Sequence, residues 1–247
     1  MKFTGIIPAR YQSTRFPGKP LALLGDKPVI RWVYENVSKV LDEVWVATDD
    51  ERIFSAVEAF GGHVVYTSPD HQSGTDRCAE AARKIAENSG FDVVVNIQGD
   101  EPFIRTEQIK RICSCFDSRE VEIATLIKPV TDLTELYNPN RPKVVVNKKM
   151  EALLFSRSTI PYIRGKKPEE WLGETQFFSH IGMYAYRADI LQKLTKLPLG
   201  KLEKAESLEQ LRWLENGFHI KTAVTEFETV GIDTPEDLEK AIRMLRK

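Results

Sequence analysis

The chain has 247 residues, 42% of them hydrophobic and 29% charged, with a formal net charge of −1 at neutral pH. That length can bury a substantial core and fits one α/β domain with an attached lobe as well as it fits two small domains, and the balance of apolar and charged residues is that of a soluble globular protein. A charge so close to zero gives no global field to draw the chain onto nucleic acid or anionic lipid, so neither is expected as a partner and any anion site must be local.

Phe3 to Pro8 reads as a strand, too short to cross a bilayer, broken at Pro8 and without a signal-peptide cleavage pattern. A Gly/Pro/Ser-punctuated loop follows, carrying Arg10, Arg15 and Lys19. Next, Ile30, Val33, Val37 and Leu41 mark one face of a helix, and Val44 to Thr48 a strand. A helix with apolar face Ile53, Phe54, Val57 and Phe60 leads to a strand at Val64 to Tyr66, a helix at Thr75 to Ser89 and a strand at Val93 to Gln98. The last is apolar enough to be buried on both faces near the middle of a sheet. Strands alternating with helical patterns predict a parallel sheet with crossover helices.

After about Glu122 the rhythm changes. Strands are expected at Ile123 to Ile127, Val144 to Asn147, Ala152 to Ser156 and Ile181 to Tyr186, with long polar connections. Ile163 to Phe178, rich in charge and Gly, reads as a mobile flap. A helix at Lys204 to Glu215, with apolar face Leu208, Leu211 and Leu214, is followed by a C-terminal helix opened by Thr234-Pro235-Glu236-Asp237. The fold predicted is a three-layer α/β sandwich with a mainly parallel, Rossmann-like sheet: one domain over residues 1–247, with a smaller β-rich lobe at 122–186. Cys78, Cys113 and Cys115 match neither a zinc site nor a CxxC pair, which suggests reduced thiols in the cytoplasm.

Open parallel sheets bind ligands at the carboxyl ends of their strands. The first strand is followed by the Arg10/Arg15/Lys19 loop, suited to wrapping a polyphosphate, and the strand ending at Gln98 by Gly99-Asp100. Asp100 is placed where Mg²⁺ shared with phosphate oxygens would want a carboxylate. Asp233 offers a second acid, against the plainer alternative of helix capping. Cations together with a metal-binding acid equip a site for phosphoryl or nucleotidyl transfer. The glycines follow neither the dinucleotide-binding nor the Walker pattern.

Seven segments carry a resemblance: GIIPARYQSTRFPGKPL, SGTDR at Ser73 to Arg77, NIQGDEP at Asn96 to Pro102, Ser156-Arg157, HIGMYAYR at His180 to Arg187, ESLEQLRWLENG at Glu206 to Gly217 and VGIDTPEDL at Val230 to Leu238. In this order they resemble the 3-deoxy-manno-octulosonate cytidylyltransferases, of the nucleotide-diphospho-sugar transferase type. The resemblance implies that CTP and 3-deoxy-manno-octulosonate (Kdo) give CMP-Kdo and pyrophosphate with Mg²⁺, in bacteria that build lipopolysaccharide. It implies Arg15 and Lys19 on the departing pyrophosphate with Arg10 beside them, and Asp100 and Asp233 on the metal. Carbonyls around Pro8 and Ala9 would accept from the cytosine amino group, while Arg77 and Gln98 would donate to the base carbonyl or ribose. Ser73 is either a ligand contact or a helix cap, as is Thr75.

For the acidic sugar the same resemblance points to Arg157 on the carboxylate, with Gln210 and His180 near it, Glu209 accepting sugar hydroxyls and Tyr184 as a wall or hydroxyl. For His180 a satisfied, half-buried strand histidine is the plainer alternative, and for Glu209 and Gln210 a helix face pointing away from the core. The lobe, with apolar runs Val144 to Val146 and Leu153 to Phe155, is where the resemblance implies a homodimer, although such apolar strands alone would also fit an intradomain core. Rival activities are a cytidylyltransferase for another acidic sugar such as sialic acid, a glycosyltransferase, and a catalytically silent CTP-binding regulator.

Overall fold

In the computed structural model, which describes residues 1–87 and 89–245, strand Phe3–Ala9 runs parallel to Glu43–Thr48 on one side and to Val93–Asn96 on the other. His63–Tyr66 extends the sheet, again parallel, beyond Glu43–Thr48. Val93, Val94 and Val95 are wholly buried, as a continuous apolar run requires when both faces of a sheet are covered. Helices Val29–Ser38, Glu51–Ala59 and Gly74–Ala86 make the crossovers. The first turns Val29, Ile30, Val33 and Val37 inward. Asp50 and Ser73 cap the other two, accepting from Arg52 N at 3.0 Å and Asp76 N at 3.1 Å. The third helix was expected to reach Ser89; residue 88 lies outside the described residues.

These elements belong to a unit comprising Met1–Lys110, Ala185–Thr195 and Thr229–Lys247. It also holds helix Ala188–Leu194, not foreseen in the sequence, and the C-terminal helix Pro235–Leu245. The forecast start of the latter is present: Asp237 N donates to Thr234 Oγ1 and Thr234 N to Asp237 Oδ2, both at 3.2 Å.

The second unit comprises Arg111–Tyr184 and Lys196–Glu228. Its extent differs from the expected lobe because strand Ile220–Val224, unforeseen, returns to pair parallel with Ile123–Pro129. Lys143–Val146 pairs antiparallel with Ala152–Ser156 and with the start of Phe178–Arg187. The fold is α/β, with a mostly parallel sheet flanked by helices, as expected.

Two expectations are corrected. The supposed flap over 163–178 contains a helical turn, Trp171–Glu174, and its aromatic residues Trp171 and Phe177 are buried with Val130 and Leu136. Two apolar side chains anchor a stretch whose charge count had suggested solvent. The helix expected at Lys204 to Glu215 is two, Lys201–Glu206 and Gln210–Glu215, separated at Ser207 by a left-handed backbone, φ 51° and ψ 49°. That break turns Gln210 inward with Leu211 and Trp213, rather than away from the core.

Candidate active site

A cavity of about 310 Å³ opens in the first unit at the carboxyl ends of Phe3–Ala9 and Val93–Asn96. Pro8, Ala9, Arg10, Arg15, Lys19, Ser73, Arg77, Gln98, Asp100 and Asp233, all of the expected nucleotide and metal residues, line it. Strand register explains the convergence. Ile6 is opposite Asn96 and Ile97 N donates to Ile6 O at 3.1 Å, which brings the turn at Gly99 against Pro8. A Cβ on Gly99 would stand 2.9 Å from Pro8 O, so a side chain there would force the two strand ends apart. Asp233 is delivered to the same place by backbone, since Ile232 N donates to Asp100 O at 2.8 Å while the wholly buried Ile232 side chain packs with Leu24, Val29 and Ala241.

The charges are arranged around Lys19. Its Nζ donates to Asp100 Oδ2 and, at 3.0 Å, to Asp233 Oδ1, while Arg15 Nη2 lies 3.0 Å from Asp233 Oδ2. Burial works against the charged ammonium, but Asp100 and then Asp233 outweigh it, and the Lys19 pKa is raised above its ordinary value. Lys19 is therefore cationic at any physiological pH. The capping alternative for Asp233 is removed by the fold, because Thr234 and Asp237 make the cap between them. Gly18 sets up the lysine: at φ 75° it occupies a conformation costly for other residues, and its N–H closes the loop on Tyr11 O at 2.8 Å.

Arg77 is 4% exposed and already engaged, Nη1 donating to Thr67 Oγ1 at 2.6 Å and Nη2 to Asp49 Oδ2 at 3.1 Å. Ser73 is both helix cap and cavity wall. Ser13, Thr14, His71 and Gln72 also line the cavity and were not singled out from sequence. The signal for His71 was its place just before the capping Ser73. Its Nε2 is 2.5 Å from Glu80 Oε2, and Glu80 is held at a pKa of about 2: burial opposes ionisation, but Lys84, the Ser68 amide and His71 outweigh it.

Two carboxylates converging on one ammonium present hard oxygen donors to a common point, which suits Mg²⁺ completed by substrate phosphate and water. Among the described residues no group of three or more His, Cys, Asp or Glu side chains could hold a metal ion without such help.

The expected sugar residues lie in the second unit. Arg157 donates from Nε to Glu206 O at 2.6 Å, from Nη1 to Pro139 O at 3.0 Å and from Nη2 to Ser207 O at 3.3 Å. Of the five guanidinium N–H donors, these bonds leave two. Neither Glu151 nor Glu174 is its partner: the first bonds Asn147 and the second Lys166. His180 sits between Phe155 and Tyr184, each 5.2 Å away between ring centres. Burial pushes its pKa down to about 3, so the ring is neutral. Thr125 Oγ1 donates to Met183 O at 2.7 Å and stands 2.9 Å from His180 Nε2, which places the ring proton on Nε2. Glu209 accepts from Arg212 at 3.0 Å, and the buried Gln210 Nε2 has no hydrogen-bond partner among the described residues.

A family model described as "Cytidylyltransferase" matches residues 4–243. A 3-deoxy-manno-octulosonate cytidylyltransferase of Parabacteroides distasonis is 63% identical, the match covering 99% of this chain and 98% of that protein. One of Thermodesulfovibrio yellowstonii is 49% identical over 97% and 96%. Among solved structures, CMP:2-keto-3-deoxy-manno-octonic acid synthetase complexed with CTP superposes with a TM-score of 0.91 at 42% identity, covering 100% of this chain and 99% of that one. A putative glucose-1-phosphate thymidylyltransferase of Bacillus anthracis, at 17% identity and a TM-score of 0.66 with 99% and 96% coverage, shares the fold.

Proposed function

The chain belongs to the cytidylyltransferase family, and from that premise we propose how its residues transfer CMP from CTP to Kdo with release of pyrophosphate. The observation that carries the reading is the Lys19, Asp100, Asp233 and Arg15 cluster in a cavity at the strand ends.

The triphosphate lies along the Arg10 to Lys19 loop. The anomeric 2-hydroxyl oxygen of Kdo attacks the α-phosphorus, the bond to the bridging oxygen breaks, pyrophosphate leaves and the hydroxyl proton passes to solvent. Negative charge grows on the departing pyrophosphate, and Lys19 and Arg15, with Arg10 beside them, neutralise it. Asp100 and Asp233 would hold Mg²⁺. That ion, when bound, supplies charge neutralisation at the α-phosphate and lowers the pKa of the attacking hydroxyl. Lys19 then turns from the acids to the phosphates.

Carbonyls around Pro8 and Ala9 accept from the cytosine 4-amino group, and Gln98 and Arg77 supply donors at the base or ribose. Uracil leaves the acceptors unpaired, at a cost of ~1–3 kcal/mol. In the second unit the two remaining Arg157 donors take the Kdo carboxylate, Gln210 brings an Nε2 that lacks a partner among the described residues, Glu209 accepts from sugar hydroxyls, and neutral His180 with Tyr184 forms a wall. The enzyme works in the cytoplasm, where CTP is made; no helix among the described residues is long and apolar enough to cross a membrane. It acts as a homodimer. Leu153 and Leu154, 61% and 37% exposed on strand Ala152–Ser156, support this by leaving apolar surface for a second copy.

Pyrophosphate release on mixing the chain with CTP, Mg²⁺ and Kdo tests the reading. Release should require all three and fall strongly when UTP replaces CTP; equal kcat/KM for the two nucleotides would contradict the base recognition.

A further inference from the structure

The loop from Arg10 to Gly18 carries like charges, and mutual repulsion does not hold such a loop in one shape. A bond between its own ends, Gly18 N to Tyr11 O, closes it, and a brace from the neighbouring strand end supports it. The guanidinium of Arg52 lies 3.3 Å from the centre of the Tyr11 ring, at the loop's beginning. Arg52 is itself fixed by Asp50, which accepts from Nε at 2.9 Å and from Nη2 at 2.7 Å in a two-pronged pair. Asp50 follows strand Glu43–Thr48, whose Thr48 is opposite Ala9, so the anchor stands on the strand beside the loop's origin.

The far end of the loop rests on the same tyrosine. Gly18 N donates to Tyr11 O, and a Cβ on Gly18 would approach the Tyr11 ring to 2.9 Å, so ring and loop backbone are in direct contact. Lys19 is the next residue. We propose that Arg52 is a positioning residue for the transfer reaction: clamped by Asp50, it holds the Tyr11 ring, which holds Gly18, which aims Lys19. This rests on the role given above to Lys19. Arg52 does not touch the cavity, and its side chain is 58% exposed, so replacing it leaves the core intact.

The test uses the full chain with Arg52→Gln and, separately, Tyr11→Leu, assayed by pyrophosphate release and by hydrogen exchange of the Gly18 amide. A lost exposed cation–π contact predicts a fall in kcat of about two- to fivefold, with a smaller change in KM for CTP. Gly18 should exchange faster in both variants, and the melting temperature of Arg52→Gln should stay near that of the unaltered chain. Combined with Lys19→Ala, Arg52→Gln should add little further loss, because the aimed group is gone. The same fold loss with and without Lys19, or unchanged kcat and Gly18 exchange in Arg52→Gln, would overturn the proposal while leaving Lys19's role standing. Normal kcat in Lys19→Ala alone would overturn that role, visibly and without any Arg52 variant, and the proposal with it.

Discussion

The two units use their ionisable side chains in opposite ways. In the first, Lys19, Arg15, Asp100 and Asp233 pair chiefly with one another at the ends of parallel strands. In the second, Arg157 is bound to three backbone carbonyls and His180 to a threonine hydroxyl. Charges that satisfy only each other can be re-partnered by a charged ligand at little cost to the fold. Side chains that satisfy backbone cannot be removed without consequence for stability. Substitutions should therefore separate activity from stability in the first unit and mix them in the second.

The largest effect expected is from Asp100→Asn, which keeps the shape and removes the charge. kcat should fall by about a thousandfold or more, while the melting temperature holds, because the lost partner is the Lys19 ammonium at the cavity wall, which Asp233 still holds, rather than apolar core. Near-normal turnover at saturating Mg²⁺ would erase the distinction from the activity side.

Arg157→Lys probes the second unit. A lysine keeps the charge but cannot serve three carbonyls and a carboxylate together, so stability should drop by ~1–3 kcal/mol and KM for Kdo should rise. Denaturant unfolding and substrate kinetics on one preparation read both. A raised KM at unchanged stability would move Arg157 into the first unit's class, and unchanged Kdo kinetics would hand the carboxylate to His180 or Gln210.

The effect that is smallest near neutral pH concerns protonation. His180 has its pKa lowered to about 3 in the fold against 6.5 as the ordinary value. The unfolded chain therefore takes up this proton first on acidification. The contribution is complete above about pH 6.5 and declines below it, by at most ~1.4 kcal/mol per pH unit for one proton. His180→Gln should flatten the loss of stability between pH 6.5 and 4, and an identical slope would show the ring to be ordinarily solvated.

The same contrast decides what the sequence revealed. The alternation of Val93 to Val95 with helical patterns points to a parallel sheet, and the rule that such sheets bind ligands at their carboxyl ends places Arg10, Lys19 and Asp100 at one edge. Asp233 was ambiguous, since a capping acid and a site acid look alike in sequence; only the Thr234–Asp237 pair separates them. In the second unit, the left-handed Ser207 that splits a helix and buries Gln210 has no local signature, serine being poorly suited to that conformation. Ile220–Val224 escaped notice because its partner, Ile123–Pro129, is nearly a hundred residues away in the chain. Trp171 and Phe177 were masked by charged neighbours.

On the proposed mechanism the two acids now holding Lys19 become metal ligands when nucleotide arrives. A crystal structure with CTP and Mn²⁺, read by the anomalous signal of the metal, tests it most directly. A peak coordinated by both Asp100 and Asp233 is expected, with Lys19 turned to the triphosphate. A peak on the triphosphate alone, with Lys19 still bridging the two carboxylates, would contradict it.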